Sequence, residues 1–531
     1  MAKIISAGQA ASLVPSGAVV TVSGLIGNMV PEAILEALEQ RYLTTTEPRD
    51  LTEIHPWLYG GPDGTGLNRW AHEGMLKRII GSTYILPALS KTSEINRFIL
   101  ESRTAAYCWP ANAIFQMLRA VGAGRSGFAT TVGLDTFADP RKNRGRLNEA
   151  ATEDLIDLVT LAGEEHLFYP SIPIDVALIR ASTADTEGNL VCDDEGLTQG
   201  ILLQATAARN SGGVVIAQVR RVVEAGSIHP LMVEVPGVLV DYVVVNEAGL
   251  QWEYGGNRGD HPATTGARRL PLPDIQYAAQ SAEKVIARRA LMEVQPGQIV
   301  NVGGGIPGAL MPTTAEEEHL GDKIRWSVEH GVFGGLCLSA THWNPTAITS
   351  PGWLLDFYSG GGLDQSFLAM PEVDQFGDVN VGRLRDQLPC PGGFTDIAAS
   401  TRKVSFCGTM TTGGLEVEAS NGRLEILREG QYRKFVREVE MSCFSGRRAI
   451  AKGHDVKYIT ERAVFRLTAD GLLLEEIAPG VDCQAQVLDL ADFPIRVSPN
   501  LKLMDERLFR PEPLFLGLGA GPSARGEPGR G

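Results

Sequence analysis

The sequence predicts an α/β protein made of two tandem, internally related open α/β domains with mostly parallel sheets. Three observations carry this. Short apolar runs of strand length alternate with helical patterns along both halves, as expected of parallel strands covered by helices on both faces. The 60 glycines are spread along the chain rather than gathered in a low-complexity block, which implies many tight turns. Blocks of the first half recur, in the same order, in the second. At 531 residues the chain is also too long for one hydrophobic core.

The chain begins MAKIISAGQAASLVPSG, which lacks the apolar core of a secretory signal, and no run approaches the ~20 apolar residues that cross a bilayer. The expected location is the cytoplasm. Pro15 opens the first recurring block (PSGAVVTVSGLIG), read as turn, buried strand and glycine-rich loop; its counterpart is PGQIVNVGGGI from Pro296 to Ile306. The first half then carries extra elements, including Trp57 to Arg125. Next, Ile174 to Val191 parallels Leu363 to Val381, each an apolar strand followed by a D-x-x-G turn. Last, ATAARNSGGVVIAQV parallels IAASTRKVSFCGTM, a short helix leading into a strand.

These blocks divide the chain into a first domain over 1–250, a linker over 251–278, and a second domain over 279–515. The linker is glycine-rich, polar and aperiodic. Residues 516–531, ending GLGAGPSARGEPGRG, have almost nothing to bury and read as a disordered tail.

A formal net charge of −15 argues against a nucleic-acid or anionic-membrane partner, either of which needs a basic stripe, and leaves room for a local basic pocket for a phosphorylated ligand. Seven scattered cysteines with no C-x-x-C pair are not a disulfide framework and read as reduced. Nine histidines without ligand spacing give no metal site. His72 in HEGML lacks the second histidine of a zinc motif and reads as structural. There is no G-x-S-x-G elbow and no P-loop.

In open α/β sheets, chemistry sits beyond the carboxyl ends of the strands, which directs attention to the loops after Val22, Val302 and Val328. Gly303, Gly304, Gly305, Ile306, Pro307 and Gly308 satisfy G-x-G-x-x-G after a strand, and Glu329 ends a second strand roughly twenty positions on, as in a dinucleotide-binding oxidoreductase. Pro307 fits this poorly, because it removes a backbone donor from a loop meant to present donors to phosphate. The alternative is chemical. SVEHGVFGG sets one carboxylate at the end of a buried strand with glycines expected to clear space before it, and a carboxylate attacks an activated acyl group without a separate base.

At SVEHGVFGG the chain resembles the family I CoA-transferases, in particular the single-chain acetate or propionate CoA-transferases that also accept ketoacids. Further blocks are similar to the same family: GLNRWAHEGMLKRIIG from Gly66, TVGLDTFADPR from Thr131, FYSGGGLDQSFLA from Phe357, CPGGFTDIA from Cys390, FCGTMTTGGLEV from Phe406 and YITERAVFRL from Tyr458. The resemblance runs from about Gly24 to Phe493.

It implies a ping-pong transfer of CoA between an acyl-CoA and a free carboxylic acid through a γ-glutamyl-CoA thioester on Glu329. No cofactor is tightly bound, CoA is the substrate carried covalently during turnover, and no metal is needed. By the same resemblance the backbones of Gly133, Gly392 and Gly393 are the oxyanion donors, Gly303 to Pro307 receives CoA, and the enzyme is a homodimer or homotetramer. Two departures stand out. Acetate-using relatives often have Pro-Gln-Gly where this chain has Pro110, Ala111 and Asn112, so the amide of the acyl pocket is missing at Ala111. Asp135 stands where glycine is usual and adds a charge near the expected pocket. A non-catalytic acyl-CoA binder is the remaining alternative.

Overall fold

The computed structural model describes residues 2–61, 64–85, 93–247, 262–272, 275–338 and 341–516. Most of the expected linker's first part, 251–261, and the tail from 517 onward lie outside the described residues.

The first half forms an eight-stranded sheet from β1 (Lys3–Ile4), β2 (Val19–Val22), β3 (Leu51–His55), β4 (Leu76–Gly81), β5 (Ala105–Cys108), β6 (Val176–Arg180), β7 (Val214–Val219) and β8 (Tyr242–Val245). Its order is β1-β8-β7-β6-β2-β3-β4-β5, and every pairing is parallel. The apolar runs that compose it, such as VALIR in β6, are buried along their whole length, as strands covered on both faces must be.

The second half contributes β9 (Ile299–Val302), β10 (Arg325–Val328), β11 (Val332–Phe333), β12 (Ala347–Ile348), β13 (Gln365–Ala369), β14 (Lys403–Cys407), β15 (Asp455–Ile459), β16 (Ala463–Thr468), β17 (Gly471–Ile477) and β18 (Arg496–Leu503). They form a ten-stranded sheet in the order β12-β11-β10-β9-β13-β14-β15-β16-β17-β18. Strands β10-β9-β13-β14-β15 are parallel, and the antiparallel pairings flank them.

The duplication is visible in the strand orders: β8-β7-β6-β2-β3 in the first sheet matches β15-β14-β13-β9-β10 in the second. It extends to single hydrogen bonds. Asp175 Oδ2 accepts the Val19 N–H at 2.8 Å, and Asp364 Oδ2 accepts the Ile299 N–H at 2.7 Å. Thr21 Oγ1 donates to the Ile54 carbonyl, and the equivalent Asn301 Nδ2 donates to the Ser327 carbonyl. Both D-x-x-G turns are built alike. Asp185 Oδ1 accepts the N–H groups of Glu187 and Asn189, while Asp374 Oδ1 accepts those of Phe376 and Asp378. Each turn closes through a left-handed glycine, Gly188 (φ 93°) or Gly377 (φ 78°), where a side chain would be strained.

The halves differ where expected. In the first, β4 and β5 extend the sheet past β3; in the second, the antiparallel β11 and β12 occupy that edge. His72 is structural, its Nε2 2.9 Å from Glu39 Oε1. No two cysteines form a disulfide among the described residues.

Five helices position the site: α1 (Ala111–Gly122), α2 (Ile201–Asn210), α3 (Ile306–Glu317), α4 (Pro351–Ser359) and α5 (Phe394–Ser400). Helix α1 belongs to the first half, yet it is anchored to the second. Asn112, Gln116 and Arg119 lie on one helical face, three or four residues apart, and all three side chains donate to the Asp356 carboxylate of α4.

Candidate active site

Glu329 sits at the tip of a hairpin, since Val328 pairs with Val332 across the turn Glu329-His330-Gly331. The turn requires Gly331, which has φ 107° and whose absent Cβ would lie 2.1 Å from the Thr349 carbonyl oxygen. The Glu329 side chain is 14% exposed. Its neighbours are the Asn301 amide, with Nδ2 3.4 Å from Oε2, and His330, with Nε2 3.9 Å from Oε1. Burial pushes the His330 pKa down while Glu329's charge opposes this, so the ring is neutral near pH 7. No lysine or arginine pairs with Glu329 among the described residues. Tyr358, whose hydroxyl meets Ser327 Oγ, is held neutral by burial and by the nearby Glu329 charge.

The facing wall comes from the first half and from the start of α5. Counting along the matched strands places Pro56 opposite Glu329 and Trp57 opposite His330 in the duplication, and these two rings meet edge to face at 5.4 Å. A Cβ on Gly393 would stand 3.2 Å from Glu329 Cγ and 3.4 Å from Trp57 Cη2. Gly393 therefore clears the space in front of the carboxylate, and its N–H takes no acceptor among the described residues. Trp57 Nε1 and His330 Nδ1 are also buried without hydrogen-bond partners among the described residues. Buried polar atoms in a folded protein are ordinarily hydrogen-bonded, so these three are open to a ligand.

The structure separates the other expected donors. Gly392 (φ 58°) has its N–H committed to the Ser82 carbonyl at 2.8 Å, and its own carbonyl accepts the Ala111 N–H at 3.2 Å. It builds the turn and ties the halves together, with no N–H left for an oxyanion. Gly133 is not brought to Glu329. It lines a small cavity with Ala399, Phe444 and Lys452, at the end of α5 opposite Gly393. That end of α5 lies ~10 Å along the helix from Gly393. Asp135 is likewise removed from the pocket, lying 3.7 Å from both Arg141 and Arg448. The glycines at 334, 335 and 362 do not open space before Glu329 either. Side chains there would strike Thr346, Trp343 and Phe357, so they serve close packing.

Gly303, Gly304 and Gly305 connect β9 to α3, beside the strand that ends in Glu329. Gly303 is packed against Leu368 and Gly308 against the Gly303 carbonyl, whereas Gly304 faces open space. The N–H groups of Gly304, Gly305 and Ile306 have no acceptor among the described residues, and Pro307 falls in the first helical turn, where its missing N–H costs nothing.

Ala111 is fully buried at the start of α1. Asn112 cannot replace the missing amide, because its Nδ2 is used by Asp356 Oδ1 (3.2 Å) and Ser359 Oγ (3.5 Å). Pro110 gives α1 no side-chain cap, and Asp396 of α5 supplies one from the other half, accepting the Asn112 N–H at 3.2 Å. Burial pushes the Asp396 carboxyl up to about 7, against the pull of the helix N–H groups. Sequence reasoning missed Trp57, Asn301, His330 and Asp396. Extending the duplication one strand further would have found Trp57; the others needed the tertiary pairing.

Residues 4–246 match the family model described as Coenzyme A transferase. The acetate CoA-transferase YdiF of Escherichia coli K12 is 40% identical over 95% of both chains. A caffeate CoA-transferase of Acetobacterium woodii is 38% identical, over 96% of this chain and 98% of that one. The crystal structure of the acyl-CoA transferase YdiF of Escherichia coli O157:H7 superposes with a TM-score of 0.91 at 39% identity, covering 96% of this chain and 97% of that one; its thioester complex with CoA superposes at 0.89. The chain belongs to the coenzyme A transferase family and is a CoA-transferase. This sets aside the dinucleotide oxidoreductase and the non-catalytic binder. No helix among the described residues is long and apolar enough to cross a membrane.

Proposed function

We propose that Glu329 is the nucleophile of a ping-pong transfer of CoA from an acyl-CoA to a free carboxylic acid. The carrying observation is a largely buried carboxylate with no lysine or arginine paired to it among the described residues, faced by a glycine whose Cβ, were there one, would stand 3.2 Å from Glu329 Cγ and whose N–H takes no acceptor there. A Glu329 oxygen attacks the thioester carbonyl, the C–S bond breaks, and CoA thiolate leaves a mixed anhydride. The thiolate attacks Glu329 Cδ, and the C–O bond to that carbon breaks. The first acid departs as its carboxylate and a γ-glutamyl-CoA thioester remains. An incoming carboxylate reverses both steps.

No proton moves at any stage, which suits a site whose histidine is neutral. The oxyanions need donors, each worth ~3 kcal/mol in the transition state; the Gly393 N–H and Trp57 Nε1 are the available ones. The loop Gly303 to Pro307 holds CoA, whose non-reacting length supplies binding energy to the chemical step. The CoA thioester complex of the Escherichia coli O157:H7 relative supports this reading.

Acyl-CoA without an acceptor is expected to add CoA less one water to the peptide containing Glu329, removable by hydroxylamine and absent in Glu329→Ala. Normal transfer by Glu329→Ala would refute the mechanism.

A further inference from the structure

Gln199 stands in the turn before α2 with φ 50°, a left-handed conformation unusual for a residue with a side chain. It is 0% exposed, and neither atom of its carboxamide has a hydrogen-bond partner among the described residues. A donor and an acceptor both buried and both idle are rare, because each loses its water without replacement.

Its place in the fold connects it to the reaction. A Cβ at Gly200 would meet Phe115 Cε1 at 2.8 Å, and one at Gly122 would meet Thr206 Cγ2 at 3.0 Å, so α1 and α2 run side by side in the same direction. Ala111 lies one turn before Phe115, and Gln199 immediately before Gly200, so both belong to the paired N-terminal ends. Phe115 packs against Trp57, which packs against His330. Thr198 Oγ1 reaches the Thr349 carbonyl at 3.5 Å, and the Thr349 N–H donates to the Gly331 carbonyl in the turn that carries Glu329.

We propose that the Gln199 carboxamide is the specificity-determining group of the acyl pocket, selecting carboxylic acids that carry a hydrogen-bonding substituent beyond the carboxyl. This rests on the CoA-transfer reading above, with the acid seated between Glu329 and the start of α1. Ala111 has a small side chain that offers no hydrogen bond, and Asn112 is committed to Asp356. An alkyl acid entering this space leaves both Gln199 atoms idle; a hydroxyl satisfies one, and a primary amide pairs with both. A site built around such a group discriminates strongly against the analogue that lacks it.

The test pairs pentanoate with 4-hydroxybutyrate, which differ by a terminal methyl exchanged for a hydroxyl, as acceptors from propionyl-CoA. Wild-type kcat/KM is expected to favour the hydroxy acid by tenfold or more. In Gln199→Met, which keeps the length and removes the polar atoms, that ratio falls at least tenfold without a lower Tm, because no internal hydrogen bond is lost. A wild-type ratio within twofold of one overturns the proposal, whether or not the variant folds. So does a parallel loss for both acids accompanied by a lower Tm. The Glu329 adduct is read by mass in the same wild-type samples. Its absence overturns the transferase reading together with this one, whereas an adduct with an unmoved ratio overturns only the role of Gln199.

Discussion

The reactivity proposed for Glu329 rests on what does not surround it. A carboxylate bonded to arginine shares its charge with the cation and attacks poorly, whereas here an amide and a neutral imidazole are the neighbours. Space in front of it depends on one residue. Gly393 has helical dihedrals (φ −81°, ψ −3°), so any side chain fits the backbone, and a substitution acts through the 3.2 Å contact with Glu329. Gly393→Ala is expected to lower kcat by about 10- to 100-fold, and Gly393→Val to abolish turnover, both with an unchanged circular dichroism spectrum. Wild-type kinetics in either would place the turn outside the active site.

Ala111→Gln restores an amide in the pocket. It should raise kcat/KM for acetate by up to about a hundredfold, the worth of one oxyanion donor, while lowering it for the preferred larger acid by filling the vacated volume. Movement of both substrates in one direction would show that Ala111 does not set specificity. Glu329, Gly393 and Ala111 were legible as residues of interest from their motifs. Gly133, Gly392 and Asp135 belong to motifs too, but hydrogen bonds and long-range packing decided their roles, and a local pattern does not encode those.

At the scale of elements, the strands were legible because they are short, mostly apolar runs that follow proline–glycine turns or lead into Asp-x-x-Gly turns. The helix α5 was legible as a helix, yet its most consequential residue was not. Asp396 looks like an acid in the first turn of its own helix, while in the fold it caps α1 from across the interface. This junction titrates. The folded carboxyl holds its proton up to about pH 7, against an ordinary value of 3.8. The folded state therefore binds more protons between these values, and stability falls as pH rises from about 4 to 7. Asp396→Asn keeps an acceptor for the Asn112 N–H and removes the charge. Urea unfolding should show the variant equal to wild type at pH 5 and more stable at pH 8. A variant that is less stable at pH 8 would mean that the anion is what holds α1.

Across the whole molecule, two copies of one strand order have been turned toward each other so that the loop after β3 meets the loop after β10. Neither half closes the site alone: Glu329 comes from the second, and Trp57 and Ala111 from the first. The backbone itself crosses between them, with Tyr84 N–H donating to the Pro389 carbonyl at 2.9 Å, Gly392 N–H to Ser82 at 2.8 Å and Phe137 N–H to Ser442 at 2.8 Å. One buried apolar cluster includes Val20 and Phe115 of the first half with Leu388, Phe394 and Phe406 of the second. The sheet changes between β8 (Tyr242–Val245) and β9 (Ile299–Val302), and the packing between the halves, rather than the covalent connection, is expected to hold them together. Cutting the chain between Glu247 and Pro262 and co-expressing the two pieces should yield a complex that copurifies and forms the Glu329 adduct. The first piece alone exposes the surface around Trp57 and Phe115, and is expected to aggregate or to melt at least about 10 °C lower. Two pieces that each fold stably and fail to associate would show that the shared core contributes little, and that the site between the halves depends on the covalent connection.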